Sequence, residues 1–366
     1  MSLFERWSDA LAELREKGRY RTLRSPVGVD FTSNDYLGYG SLPVPDSALP
    51  ISGMASRLLR GQHPIWDEVE SALAEWHGAE AALMMTSGYA ANEGLIATVV
   101  EPGDWVATDE LNHACIVDGL RLARPRKFAF RHNDLRQLED GLKAEAERHR
   151  TGRQRFVVTE SLFSMDGDRP DLKAMVELTE RYGAHLIVDE AHSTGCFGPS
   201  GSGCVDEAGI RDRVLATVHT GGKALGVCGA YICGSKLLKE LLVNRCRHLI
   251  FTTALPPVMG SWWLDRLKRI RTDEPGRRRL HDNVQRFRER IPEAIGSEYI
   301  VPIVLCDDSR TVDVAAKLQE RGFDVRAIRP PSVPPGTARL RISIHADHGA
   351  ATLDALAHAL REAVAQ

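Results

Sequence analysis

A single lysine, Lys223, stands in the stretch HTGGKALG (219–226) among residues with almost no side chain. A glycine followed by lysine suggests a phosphate-binding loop, whose backbone N–H groups cradle a nucleotide. The spacing excludes that reading. Thr217 holds the place of the first glycine, and Ala224 stands where a Mg²⁺-binding hydroxyl is needed. The small neighbours instead leave clearance for something bulky attached to the lysine or packed on it. Other polar residues that could do chemistry each follow a short apolar run. HLIVDEAHSTG (185–195) puts Asp189 at a strand end and His192 three residues on; TDELNHACI (108–116) places His113, and TESLFSMDGD (159–168) places Glu160, Ser161 and Ser164. TSGYAANEG (86–94) carries Ser87, Gly88 and Tyr89 into a helical pattern, and the free N–H groups of a helix start favour a phosphate. A carboxylate at the end of a buried strand has few water partners and calls for a cation. The plainer alternatives are a helix N-cap followed by a surface histidine at 189–192, a structural His113, and a strand–turn–helix joint that binds nothing. Taken together, a lysine, an anion-ready helix start, a carboxylate and histidines meet the needs of pyridoxal phosphate (PLP). Its aldehyde condenses with a lysine amine, and an acidic side chain keeps its ring nitrogen protonated.

The elements that must position these residues are strands and helices in alternation. AALMM (81–85), WVATD (105–109), RFVVTE (155–160), HLIVDE (185–190), VLATVHT (214–220) and AYICG (230–234) are strand candidates. Continuous apolar runs suit strands buried on both faces of a mostly parallel sheet, with helices on either side. In such sheets ligands bind beyond the carboxyl ends of the strands, where the polar residues above fall. From about 255 the texture changes. The stretch from Pro256 to Ile291 reads as one long helix or two, basic on the outer face. YIVPIVL, GFDVRAIRPPSVPP and ARLRISI then read as strands and TLDALAHALREAVA as a last helix. The expected organisation is an N-terminal helix and arm (1–40), a large α/β domain (41–255) and a smaller C-terminal α+β domain (256–366).

Bulk properties narrow the function classes. The 366 residues are 43% hydrophobic and 27% charged with a net charge of −3, so nucleic acid is not the expected partner. No apolar run reaches the length of a membrane span. MSLFERWSDALAELREKG reads as a charged amphipathic helix rather than a signal peptide. Seven cysteines without a CxxC spacing point to reduced thiols in a cytoplasm and to no zinc or other metal site.

The order of SNDYLG, TSGYAAN, NHACIVDG, ESLFSMDGD, VDEAHSTG, TGGKALGVCGA, RHLIFTTALPP and GTARLRIS resembles that of the α-oxoamine synthases, over roughly residues 1 to 360. The resemblance implies a PLP-dependent enzyme of fold type I, with a mostly parallel seven-stranded sheet in the large domain and a smaller C-terminal domain. It implies decarboxylative condensation of an amino acid with an acyl thioester in a homodimer. The nearest likeness is to alanine-using members; glycine-using members, or a non-catalytic assembly subunit of the same fold, are the alternatives. By the same resemblance Lys223 is the Schiff-base lysine and proton carrier, Asp189 pairs with the ring nitrogen, His192 lies near the ring hydroxyl and His113 stacks on the ring. Ser87, Gly88, Tyr89 and Thr220 take the phosphate, Ser164 lines the ring edge, and Thr252 and Thr253 are phosphate contacts from the partner subunit. Asn34 and Arg341, with Arg339 on the same strand face, hold the amino-acid carboxylate. Two departures stand out. Gly221 replaces a usually bulky apolar residue, which implies a looser lysine loop, and Trp66 stands where a histidine is common, with His63 nearby but shifted. The arginines of 266–290 suggest docking of an acidic carrier or of CoA phosphates. The interleaved Asp265, Asp273, Glu274, Asp282 and Glu289 favour a solvated face instead.

Overall fold

A computed structural model describes residues 1–148 and 152–365 of the chain. The chain forms two compact units. The larger comprises Leu37–Ser164 and Arg169–Arg277, and the smaller Met1–Tyr36, Met165–Asp168 and Arg278–Gln366. These breaks differ from the boundaries at 40 and 255 expected from the sequence. The helix Val258–Ile270 stays with the larger unit because it buries Trp263, Leu267 and Ile270. Trp263 there meets Tyr231 edge-on, with ring centroids 5.6 Å apart.

Seven strands build the sheet of the larger unit: β1 (Ala81–Met85), β2 (Trp105–Asp109), β3 (Arg126–Phe130), β4 (Arg155–Glu160), β5 (His185–Asp189), β6 (Ala216–Thr220) and β7 (Ala230–Gly234). Their order is β1-β7-β6-β5-β4-β2-β3. Only β7 runs against its neighbours, β1 and β6; the other pairings are parallel. Adjacent residues of a strand face opposite sides of a sheet, and two separate cores follow. Val106, Val158 and Ile187 join Leu95, Ile96, Ile116 and Leu120 on one side. Ala107, Val157 and Val188 join Leu138, Leu142, Met175 and Val176 on the other. This is why β4 and β5 read as unbroken apolar runs. β3 carries no such run: RKFAF lies at the sheet edge and is only half buried in alternation, so the sequence did not disclose it.

In the smaller unit β8 (Ile300–Cys306), β9 (Arg326–Ile328) and β10 (Ala338–Ser343) form an antiparallel sheet in the order β9-β10-β8. The short strands Val29–Asp30 and Phe323–Asp324 pair in parallel. The helix Leu3–Glu16 begins with a capping box, in which Ser2 and Glu5 satisfy each other's backbone N–H, yet it buries none of its residues. The basic stretch resolves into two helices, Val258–Ile270 and Glu274–Arg290. Several of its arginines turn inward rather than outward. Arg266 is 1% exposed and donates to the carbonyls of Leu42 and Pro43. Arg277 donates to the Ile270 carbonyl, Arg288 to that of Glu298, and Arg286 and Arg290 bind Asp354. Lys268, Arg269, Arg278 and Arg279 stay exposed.

Candidate active site

The carboxyl ends of β4 and β5 bring two buried carboxylates side by side, because the strand register sets Glu160 opposite Asp189. Asp189 is 5% exposed. Its Oδ2 accepts a hydrogen bond from Asn92 Nδ2 at 2.7 Å and its Oδ1 accepts the Ala191 N–H at 2.8 Å. The segment after it is a turn, so the N-cap alternative fails. Its two hydrogen bonds come from neutral donors, and a buried carboxylate favours a cationic partner. Asn92 Oδ1 is also buried without a partner. A protonated ring nitrogen fits this donor set.

His113 caps the helix Ala114–Ala123, its Nδ1 accepting the Cys115 N–H at 3.3 Å. Its own N–H donates to Glu160 Oε1 at 2.7 Å. Burial holds the imidazole below its ordinary pKa; nearby Asp189 pulls it back up and Lys223 pushes it further down. Burial likewise lifts Glu160 well above the carboxylate range, with Asp189 adding to the shift and Lys223 opposing it. Lys223, Asp189, His113 and Glu160 therefore share one electrostatic neighbourhood.

Lys223 is half-buried on the loop 221–229 that joins β6 to its antiparallel neighbour β7. The loop is closed at its neck: the Gly221 N–H donates to Gly229 O and the Val227 N–H to Gly221 O, both at 2.9 Å. Trp263 fills the space that a side chain at Gly221 would take. A Cβ at 221 would come within 2.4 Å of Trp263 Cζ2 and 2.3 Å of Val227 O. Trp263 Nε1 also donates to Cys228 O at 3.0 Å.

At the end of β1, Ser87 caps the helix Gly88–Val99 by accepting the Ala90 N–H on its Oγ. A Cβ on Gly88 would lie 3.6 Å from Thr220 Cβ, so the Thr220 side chain at the end of β6 faces the helix start. Bare amides beside a hydroxyl suit a phosphate. Tyr89 is largely exposed, donates to Asp118, and meets the His113 ring edge-on with centroids 6.2 Å apart. His192 is 6% exposed, which removes the surface-histidine alternative. Ser164 is half-buried in the turn after β4. Thr252 and Thr253 follow the helix Arg247–Ile250, and neither side chain makes a hydrogen bond among the described residues. Thr252 lines a small cavity with Trp66, Met84, Thr86 and His248. Trp66 is 1% exposed with its indole N–H unpartnered, and His63 caps the helix Pro64–His77.

Asn34, Arg339 and Arg341 belong to the smaller unit. Arg341 donates to Asn34 Oδ1 at 2.8 Å and to Ser343 Oγ at 2.9 Å, and the Tyr36 hydroxyl also donates to Asn34 Oδ1. Arg339 is committed to Asp166, 2.6 Å away, and to the Met165 carbonyl. Three contributors had no role assigned from the sequence. Asn92 was visible as the residue one helical turn beyond Gly88, hence on the same helix face. Glu160 was visible as a strand-end carboxylate. Trp263 had no local signal, since its partner lies some forty residues away.

The class I and II aminotransferase family model matches residues 26–360. An 8-amino-7-oxononanoate synthase of Chlorobaculum parvum is 42% identical over 378 residues, covering 95% of this chain and 96% of its own. Among solved structures, Sphingomonas wittichii serine palmitoyltransferase superposes with a TM-score of 0.90 at 26% identity, covering 99% of this chain and 98% of its own. A high-resolution structure of SPT carrying PLP gives a TM-score of 0.89 at 27% identity, with the same coverages.

Proposed function

This chain belongs to the class I and II aminotransferase family and, within it, to the α-oxoamine synthases; from that premise we propose that it is an 8-amino-7-oxononanoate synthase of biotin biosynthesis. It joins L-alanine to pimeloyl-CoA or a pimeloyl-carrier protein and releases carbon dioxide and the free thiol. Buried Asp189, ringed by neutral donors and sharing its surroundings with Lys223 and His113, carries the reading. The 42% identity supports the choice of substrates.

Lys223, Asp189, His192, Ser164 and the Ser87–Gly88–Tyr89 helix start with Thr220 would hold PLP, which would supply an aldehyde for the amine and a protonated ring able to accept a carbanion's electron pair. The residues do the rest. Asp189 would keep a proton on the ring nitrogen by accepting its hydrogen bond. His113, held neutral by burial, offers a flat face without a competing positive charge. Lys223 takes the Cα proton of alanine and returns one to the same carbon after carbon dioxide departs. Arg341 and Asn34 orient the departing carboxylate; Arg339, already answered by Asp166, is the supporting neighbour.

The homodimer is part of the proposal. Phe4, Trp7, Leu11 and Leu14 recur at helical spacing on a helix with no buried residue, and such a stripe needs a cover. Thr252 and Thr253 would serve the partner's phosphate. The proposed compartment is the cytoplasm; among the described residues no helix is long and apolar enough to cross a membrane.

The test is the visible absorption of the purified protein loaded with PLP, titrated separately with L-alanine, glycine and L-serine. A band that alanine perturbs at the lowest concentration, together with its loss in Lys223→Ala, supports the assignment. Preference for glycine or serine would move the chain to another synthase of the family. No band at all would remove the catalytic reading.

A further inference from the structure

We propose that Glu160 is a positioning residue that fixes His113 through its main chain. The turn between β2 and the helix Ala114–Ala123 must present the His113 ring at one angle. Its first residue is tied to β3, where the Glu110 N–H donates to Phe130 O at 3.0 Å. Two side-chain contacts hold its far end to β4. Asn112 Nδ2 donates to Val158 O at 2.8 Å and also to Thr108 Oγ1 at 2.8 Å. One residue on, the His113 N–H donates to Glu160 Oε1 at 2.7 Å. Asn112 and Glu160 are both buried, at 7% and 3% exposure. The clamp therefore runs from the last residues of β4 to the two residues at the start of the helix, and the imidazole is aimed by the backbone it hangs from.

The acceptor is a buried carboxyl group at the last position of β4, and it stands opposite Asp189 in the register. An ionised Glu160 would compete with Asp189 for any cation bound there. Burial displaces Glu160 toward the neutral form, and a neutral carboxyl keeps an oxygen available to the His113 N–H. Glu160 makes no contact with the reacting atoms in this scheme; it acts through His113.

The proposal rests on His113 facing the PLP ring, and the experiment separates the two ideas. Glu160→Ala, Glu160→Gln, His113→Ala and the double variant Glu160→Ala/His113→Ala are loaded with PLP. Cofactor dissociation constants and the visible circular-dichroism band of the bound cofactor are recorded. Glu160→Ala strips a buried N–H of its acceptor and is expected to weaken PLP binding about tenfold and to reduce the dichroic band. Glu160→Gln keeps a neutral acceptor oxygen and is expected to recover most of both. In the His113→Ala background the Glu160→Ala change is expected to add little. Equal losses in Glu160→Ala with and without His113 would overturn the proposal, as would a Glu160→Gln variant no better than Glu160→Ala. A His113→Ala variant with unaltered affinity and dichroism would instead overturn the ring-facing reading of His113, and the proposal with it. Should Glu160→Ala not fold, failure of Glu160→Gln to match the wild-type dichroic band would overturn the positioning role on its own.

Discussion

At the scale of single residues, burial displaces one carboxyl group of the large unit, Glu190, toward its protonated form. Glu190, next to Asp189, is 1% exposed, and its Oε1 accepts the Val205 N–H at 2.9 Å and the Ser193 hydroxyl at 3.0 Å. Burial raises its pKa to about 7 against those hydrogen bonds. The folded protein thus holds this proton up to about pH 7, whereas the unfolded chain releases it near the ordinary carboxylate value. The stabilisation from the neutral form is complete below that ordinary value and is lost as pH rises through 7. The shift corresponds to about 3 kcal/mol at pH 8. Glu190→Gln keeps an acceptor oxygen and cannot ionise. The difference in urea unfolding free energy between variant and wild type is expected to widen in the variant's favour from pH 5 to pH 8. Comparing the two proteins at each pH cancels the opposite contribution of His77, whose burial depresses its pKa to about 3 and whose stabilisation is lost on acidification. A constant difference across that range would remove Glu190 from this role.

At the scale of elements, the lysine loop shows how much was legible in the sequence and where legibility ended. The strands that bury both faces were readable as apolar runs, and their polar carboxyl-end residues were found because the sheet type says where to look. The edge strand β3 escaped because one face of it meets solvent. Gly221 was readable as a departure but not as a cause. Its meaning depends on Trp263, brought beneath the loop from a distant helix, and long-range packing leaves no mark in a local window. The absence of a side chain there is a fit to the indole rather than a licence to move. Gly221→Ala is expected to cost about 1–3 kcal/mol through overpacking against Trp263 and the Val227 carbonyl, read as a lower urea midpoint. An unchanged midpoint would mean that the loop relaxes freely. Asn92 lay within TSGYAANEG and Trp66 stood out as a departure, yet the aspartate that Asn92 meets and the cavity that Trp66 lines appear only once the chain is folded.

At the scale of the whole molecule, the N-terminal helix buries none of its residues. Its apolar stripe is expected to pack in the dimer, so Trp7→Glu with Leu11→Glu should lower the sedimenting mass toward that of the monomer at micromolar concentration. A dimer of undiminished strength would assign the stripe elsewhere. The smaller unit is also built from both ends of the polypeptide. Val29 pairs with Phe323, and the Ser343 N–H donates to Phe31 O. Residues 29–31 leave the ribosome long before residues 323, 324 and 343, to which they bond, have been made. The nascent chain must therefore carry this segment unpaired while the sheet of the larger unit is completed, since the last strand of that sheet ends at residue 234.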